Sequence, residues 1–294
     1  MTAALALDLP SESPFVSDAN AWFAEVGAAL RARRLAPYLG SGLSALSPGV
    51  AVPTTYESLA EFFGSKVALP KRARGNAWAS AQFVESRQHR ATVTRLMQTA
   101  FAAEVAPLPF HAHLAQLELP LIVDTWYDGA ARSALQTRTD WLEIQGINRA
   151  QIGESGWFRA YDPGGALVSL ERAEAAKTLL YKPHGGITPT GNFLITDADY
   201  VEVLTEIDIQ NPIPEAVRRR RSGLGFVFLG CRFHDQLLRT YARQIVKRSS
   251  GPHYAVFETN TLTRMELRFA RELGLQAIAC PLSTALERLT AASR

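Results

Sequence analysis

Short apolar runs that each stop at a glycine or a polar corner constrain this chain more than any other feature. LAPYL (35–39) runs into GSG, LIV (121–123) into DTWYD, LLYK (179–182) into PHGG, GFVFL (225–229) into GCRF, and HYAVF (253–257) into ETN. QAIAC (276–280) closes the series. Strands that stay apolar along their length are buried on both faces, and when they alternate with helices they form a parallel, doubly wound sheet. Ligands of such sheets bind beyond the carboxyl ends of the strands, so these corners are where function is expected.

The helices between them carry their own signals. Asp18 caps a helix whose face is Trp22, Val26, Ala29 and Leu30, and Asp235 caps one bearing Leu237, Leu238, Tyr241 and Ile245. Thr263 with Glu266 fits a capping box, and Gly274 closes that helix. The fold class expected is α/β, a Rossmann-like parallel sheet with a small helical subdomain. Residues 1–16 read as a flexible tail and 17–294 as a single domain, with the helical subdomain at about 65–118. An irregular insertion or short hairpin is expected at about 137–178, where turns at Gly153–Gly156 and Pro163–Gly165 interrupt every periodicity.

Composition excludes several classes. The net charge is only +3, so there is no general electrostatic case for nucleic acid. The basic run Arg218–Arg221 reads first as a solvated loop before a strand, with a phosphate grip as the alternative. Two cysteines, Cys231 and Cys280, supply neither a disulfide framework nor a four-thiolate zinc site, and fit buried thiols in a reducing cytosol. No apolar run reaches the roughly 18–20 residues that span a bilayer. The N-terminus lacks a basic segment and a long apolar core, so a cytoplasmic protein without a membrane segment is expected.

Gly40-Ser41-Gly42-Leu43-Ser44-Ala45 satisfies G-x-G-x-x-A after a strand, a pattern that lets backbone approach a pyrophosphate. A Pro/Gly loop at 47–53 then replaces the immediate helix of a standard dinucleotide fold, and Glu61 falls in a helical stretch. The loop is therefore a nucleotide loop of another kind, or a plain turn. His184, braced by Pro183 and followed by Gly185 and Gly186, is either a base near neutral pH or a histidine satisfied within its loop. His111 and His113 lie two apart on a helix, a spacing that points them away from each other and argues against a metal pair.

Taken in order, these segments resemble the sirtuin-like domain of bacterial NAD-consuming defence proteins. The loop Gly40–Ser44, the corner Asp124–Asp128, the pair His184-Gly185, the turn Gly230–Asp235 and the last β-α-β unit carry the resemblance over roughly 35–290. It implies an NAD ligand, with NADP or ADP-ribose as alternatives, and cleavage of the nicotinamide–ribose bond. By position, Gly40, Ser41, Gly42 and Ser44 would hold the pyrophosphate and its ribose. Thr125, Trp126 and Tyr127 would form the nicotinamide end, and Asp128 would bind the carboxamide. His184, with Gly185 beside it, would be the base, and Gly230 and Asn260 would line the adenosine end. Arg232 replaces a small serine; it suits a 2′-phosphate, or is a plain surface arginine.

Two cysteines also exclude the structural zinc of true sirtuins, which places the chain with the zinc-free branch. The family's catalytic asparagine is replaced by Trp126, whose indole donates one hydrogen bond and accepts none. Two expectations follow from the resemblance: an active NAD glycohydrolase in antiphage defence, or a catalytically impaired subunit or sensor that binds NAD, NADP or ADP-ribose. Either version allows a homo-oligomer or a partner subunit. A dehydrogenase that shares the glycine loop, and a degenerate domain with a purely structural role, are the remaining alternatives.

Overall fold

A computed structural model describes residues 13–148, 156–206, 213–258 and 262–294 of the chain. Asn260, and part of the turn expected at 153–156, lie outside the described residues. Helix α1 (Ala19–Arg31) leads into β1 (Leu35–Leu39), after which come α2 (Tyr56–Lys66), α3 (Ala77–Gln88), α4 (Arg90–Ala100) and α5 (Pro109–Gln116). Then follow β2 (Leu121–Asp124), α6 (Ala130–Leu135), β3 (Trp141–Gly146), β4 (Phe158–Tyr161) and β5 (Leu167–Val168). After α7 (Arg172–Ala175) and β6 (Thr178–Lys182), a small hairpin of β7 (Gly185–Gly186) and β8 (Asn192–Phe193) precedes α8 (Asp197–Glu206). The last third is α9 (Glu215–Arg221), β9 (Gly225–Leu229), α10 (Gln236–Val246), β10 (His253–Phe257), α11 (Arg264–Glu272), β11 (Leu275–Ala279) and α12 (Leu282–Ala292).

Nine strands form one sheet in the order β11-β10-β9-β1-β2-β6-β3-β4-β5. Every pairing from β11 to β3 is parallel, and β4 and β5 add an antiparallel edge. The apolar runs β1, β2, β6, β9 and β10 are buried at every position, as strands covered on both faces must be. This is the Rossmann-like α/β arrangement expected. From β1 the chain moves to β2 on one side, while β9, β10 and β11 build outward on the other. The order therefore reverses between β1 and β9, and a crevice opens there.

Two apolar clusters cover the two faces of the sheet. A third lies over the carboxyl ends, where Tyr56, Phe63, Trp78, Val93 and Met97 pack with Trp126 and Tyr127. The helical layer thus begins at α2, earlier than expected, whereas α5 packs with the sheet through Phe110 and Leu114. Among the described residues no helix is long and apolar enough to cross a membrane.

Two stretches differ from their sequence reading. Residues 137–178 supply β3, a parallel neighbour of β6, together with the edge strands β4 and β5. Polar side chains hid that strand: Glu143 and Gln145 lie in it fully buried, satisfied by Arg132, Asn192 and each other. The basic run is helix α9, not a solvated loop. Arg220 donates to the carbonyls of Pro120, Ala173, Ala176 and Lys177, and Arg221 to those of Gln244 and Ile245.

Candidate functional site

The crevice between β1 and β9 is built on glycines in contact. Gly40 N–H donates to the Leu229 carbonyl at 2.9 Å, and Gly42 N–H to the Gly230 carbonyl at 3.0 Å. A Cβ on Gly40 would lie 2.4 Å from the Gly230 oxygen, and Gly230 itself has φ +64°, so neither position accepts a side chain without backbone movement. These glycines bring two loops together, and two of their amides are already engaged.

Two hollows open on either side of this contact. One, of about 570 Å³, is lined by Tyr38, Tyr56, Glu57, Thr125, Trp126 and His234. The other, of about 840 Å³, is lined by Leu46, Thr54, Gly230, Val256, Glu258 and Leu262. Ser41, Thr55, Cys231 and Arg232 border both, so the two halves form one cleft astride the crossover.

The corner after β2 is closed by an ion pair. Lys182 Nζ donates to Asp124 Oδ2 at 2.5 Å, to the Trp126 carbonyl at 2.7 Å and to the Asp128 carbonyl at 3.0 Å. All three ammonium hydrogens are thus used, and Lys182 is only 2% exposed. Burial pushes the ammonium pKa down, but the facing carboxylates of Asp124, Asp128 and Glu143 outweigh it and hold the pKa above the usual lysine value. Trp126 N–H donates to Asp124 Oδ1 at 3.1 Å, so the lysine and the aspartate together fix the turn.

Side-chain directions follow from that turn. The Trp126 indole points into the helical layer, with Tyr56 5.0 Å and Phe101 5.7 Å away between ring centres, and its Nε1–H donates to the Pro53 carbonyl at 3.0 Å. It forms part of the wall of the cleft and anchors the Pro/Gly loop. Tyr127 hydroxyl donates to the Leu194 carbonyl at 2.7 Å. Asp128 accepts a hydrogen bond from the Ser44 hydroxyl and, at 2.9 Å, one from Ala130 N–H at the start of α6.

His184 is sealed from the cleft. It is 1% exposed, its Nδ1 lies 3.2 Å from the Tyr200 hydroxyl, and the Tyr241 ring lies edge-on with centroids 4.5 Å apart. Its Nε2 is buried with no hydrogen-bond partner among the described residues. Burial, aided by the Lys182 charge, pushes its pKa down to about 3. Gly185, at φ +74°, is required by the hairpin, since a Cβ there would meet the Asn192 oxygen at 2.2 Å.

The corner after β9 is open. Arg232 donates from Nε to Glu266 Oε1 at 2.8 Å and from Nη2 to Oε2 at 3.1 Å. Glu266 is fully buried and also accepts from the amides of Phe233 and Thr263 and from the Thr263 hydroxyl. Burial alone would raise the Glu266 pKa, but these donors, Arg232 first, hold it down at about 2. Arg239 donates to the carbonyls of Phe233 and His234, which fixes the loop before α10. His234 Nε2 stands 3.2 Å from Glu57 Oε1, across the first hollow from the β9 side to α2.

Of the residues singled out in the sequence, Gly40, Ser41, Gly42, Thr125, Trp126, Gly230 and Arg232 line the cleft. Ser44, Tyr127, Asp128, His184 and Gly185 are buried around it and do not line either hollow. The sequence reading did not single out Lys182, Glu57 or His234. A lysine in an otherwise apolar strand was the available signal for the first. Among the described residues no group of three His, Cys, Asp or Glu side chains is placed to hold a metal ion.

A family model described as SIR2-like domain matches residues 120–278, more than half of the chain. The matched segment runs from the start of β2 into β11 and so includes the β2 corner, His184 and the Gly230 turn. No curated protein matches the chain.

Proposed function

The chain belongs to the SIR2-like domain family and is a sirtuin-like, NAD-related protein; from that premise we propose that it binds NAD in the cleft over the β1–β9 crossover and hydrolyses the nicotinamide–ribose bond. The observation that carries this reading is the half-exposed guanidinium of Arg232, which borders both hollows at the point where sheet order reverses. A cation there suits the diphosphate of a dinucleotide whose two nucleoside arms occupy the two hollows. Ser41 and Thr55 place hydroxyl groups at the same junction. The first hollow has an aromatic wall of Tyr38, Tyr56 and Trp126, which shields the positively charged sugar left as nicotinamide departs.

The test is direct. Purified protein incubated with NAD should release free nicotinamide and should show a thermal shift on adding NAD. Loss of both signals would refute the reading.

A second reading is a catalytically impaired subunit or sensor that binds NAD, NADP or ADP-ribose. It is favoured by Trp126 in the place of the family's catalytic asparagine and by the sealed position of His184. A thermal shift with NAD or ADP-ribose and no nicotinamide release would select it. A role in antiphage defence belongs to the same resemblance, and is tested by phage challenge of cells with and without the protein.

A further inference from the structure

Resting on the hydrolase reading, we propose that the sugar cation formed as nicotinamide leaves is met by the carboxylate of Glu57. The aromatic wall of the first hollow shields that cation but carries no charge to offset it. Among the described residues that line the hollow, Glu57 is the one carboxylate, and its side chain is 59% exposed. The acids of the two corners are already engaged. Asp124 accepts from Lys182, Asp128 from the Ser44 hydroxyl and Ala130 N–H, and Glu266 from Arg232 and the amides of Phe233 and Thr263.

An acid in the first turn of a helix commonly serves the helix itself. In α2 that task falls to other groups: Ser58 N–H donates to the Thr55 hydroxyl and Thr55 N–H to the Ser58 hydroxyl, a capping box that leaves Glu57 out. The residue before it fixes where the carboxylate stands. Tyr56 lies 4.4 Å from Trp78 and 5.0 Å from Trp126 between ring centres, and Trp126 in turn holds the Pro53 carbonyl just upstream. The charges of the cleft then follow those of the ligand. Arg232 stands at the junction, for the diphosphate, and Glu57 in the first hollow, for the sugar on which positive charge develops.

The leaving group sets what the site must supply. A pyridinium is already cationic and departs as neutral nicotinamide, so it needs no proton. Glycosidases that release an oxygen leaving group use a second carboxyl to protonate it; here one carboxylate suffices. As the C1′–nitrogen bond breaks, its electron pair goes to the pyridinium nitrogen, and positive charge spreads over C1′ and the ring oxygen of the ribose, facing Glu57. A water oxygen then bonds to C1′, its proton passes by the exposed carboxylate to solvent, and the other product is ADP-ribose.

The experiment measures nicotinamide release from NAD by the full chain, with thermal unfolding and calorimetric titration of NAD and NADH beside it. Glu57→Gln should keep the unfolding temperature and lose about 100-fold or more in kcat, the range for removing one preorganised group at a developing charge. Glu57→Asp, which keeps the charge on a shorter arm, should recover part of that rate. NADH has the same diphosphate and sugars without the pyridinium charge. The wild type should therefore bind NAD about 2- to 5-fold more tightly than NADH, and Glu57→Gln should level the two. Full turnover in folded Glu57→Gln, or a ratio of NAD to NADH affinity unchanged by it, would overturn the proposal and leave the hydrolase reading standing. A wild-type protein that binds NAD and releases no nicotinamide overturns both.

Discussion

The corners after β2 and β9 are built from the same parts, one cation on one carboxylate at a strand exit, and they serve opposite ends. At the β2 corner, Lys182 and Asp124 are both buried, and the three ammonium hydrogens go to Asp124 and to the Trp126 and Asp128 carbonyls. At the β9 corner, Glu266 is buried but Arg232 keeps 42% of its side chain exposed and faces both hollows. The lysine is a staple for a turn. The arginine is supported from behind by a carboxylate that other donors also satisfy, and its outer face meets the cleft. What separates the two ion pairs is burial: the lysine is closed off from solvent, whereas the arginine keeps an exposed face on the cleft.

The sharpest way to break that comparison is Lys182→Met. It leaves a buried carboxylate and two buried carbonyls without their donor, and a buried pair broken on one side costs about 3–5 kcal/mol. Urea unfolding should show this as a lower midpoint at unchanged m. A cost below about 1 kcal/mol, the range of exposed pairs, would place the β2 corner in the same class as the β9 corner.

Acid titration separates the two corners by pH window. His184, beside the β2 corner, has a folded pKa near 3 against an ordinary 6.5. The unfolded chain therefore takes up a proton that the folded one refuses, and stability is lost as pH falls from about 6.5 toward 3, by up to about 1.4 kcal/mol per pH unit. His111, pushed down to about 4 by burial, acts with the same sign. Glu266, at the β9 corner, has a pKa of about 2 against 4.5, so its contribution is present above 4.5 and disappears only below. His184→Gln should reduce the slope between pH 6.5 and 4.5, to which the buried His111 adds with the same sign and Asp124, raised to about 6 by burial, with the opposite sign. Glu266→Gln should leave that slope intact and flatten the curve only below it. Unfolding midpoints at stepped pH decide the matter.

These corners also mark how far the sequence could be read. Strands β1, β2, β6, β9 and β10 were legible because parallel strands under two helical layers are buried at every position and read as largely apolar runs. Strand β3 was not, because Glu143 and Gln145 sit in it with partners from distant segments: Arg132, the Thr188 carbonyl and Asn192. Residue types at a strand exit show that a corner exists but not where its side chains point. Trp126 read as a nicotinamide-end residue and is also a packed member of the helical cluster. Asp128 read as a ligand contact and accepts from Ser44 and Ala130. Lys182 gave little warning, since two of its three acceptors are backbone carbonyls that any residue could offer. His234 meets Glu57 from 177 positions away in the chain, a pairing no local pattern encodes.

Trp126→Phe gives a smaller effect that tests the link between the β2 corner and the Pro/Gly loop. It keeps the ring contacts with Tyr56 and Phe101 but removes the donor to the Pro53 carbonyl. The cost should be about 1 kcal/mol, one net hydrogen bond. Faster amide exchange confined to residues near Pro53 would show the loop released from its anchor; uniform change through the sheet would show that the indole is simply core.

Arg232→Gln should have the smallest effect on stability and so sharpens the comparison most. Without the guanidinium, Glu266 still accepts from Phe233 N–H, Thr263 N–H and the Thr263 hydroxyl. With Arg232 42% exposed and three donors left on the buried Glu266, the unfolding midpoint should move less than for Lys182→Met. NAD affinity should respond instead, because the lost group is the cation between the two hollows. A charge-assisted hydrogen bond to a diphosphate is worth about 1.5–3 kcal/mol, which is roughly 10- to 150-fold in Kd. Calorimetric titration with NAD reads the affinity and urea unfolding reads the stability. A variant that loses stability like Lys182→Met but binds NAD normally would make Arg232 a second staple. One that keeps its stability and loses affinity places the open corner on the ligand, and the contrast with the closed corner then rests on function as well as on burial.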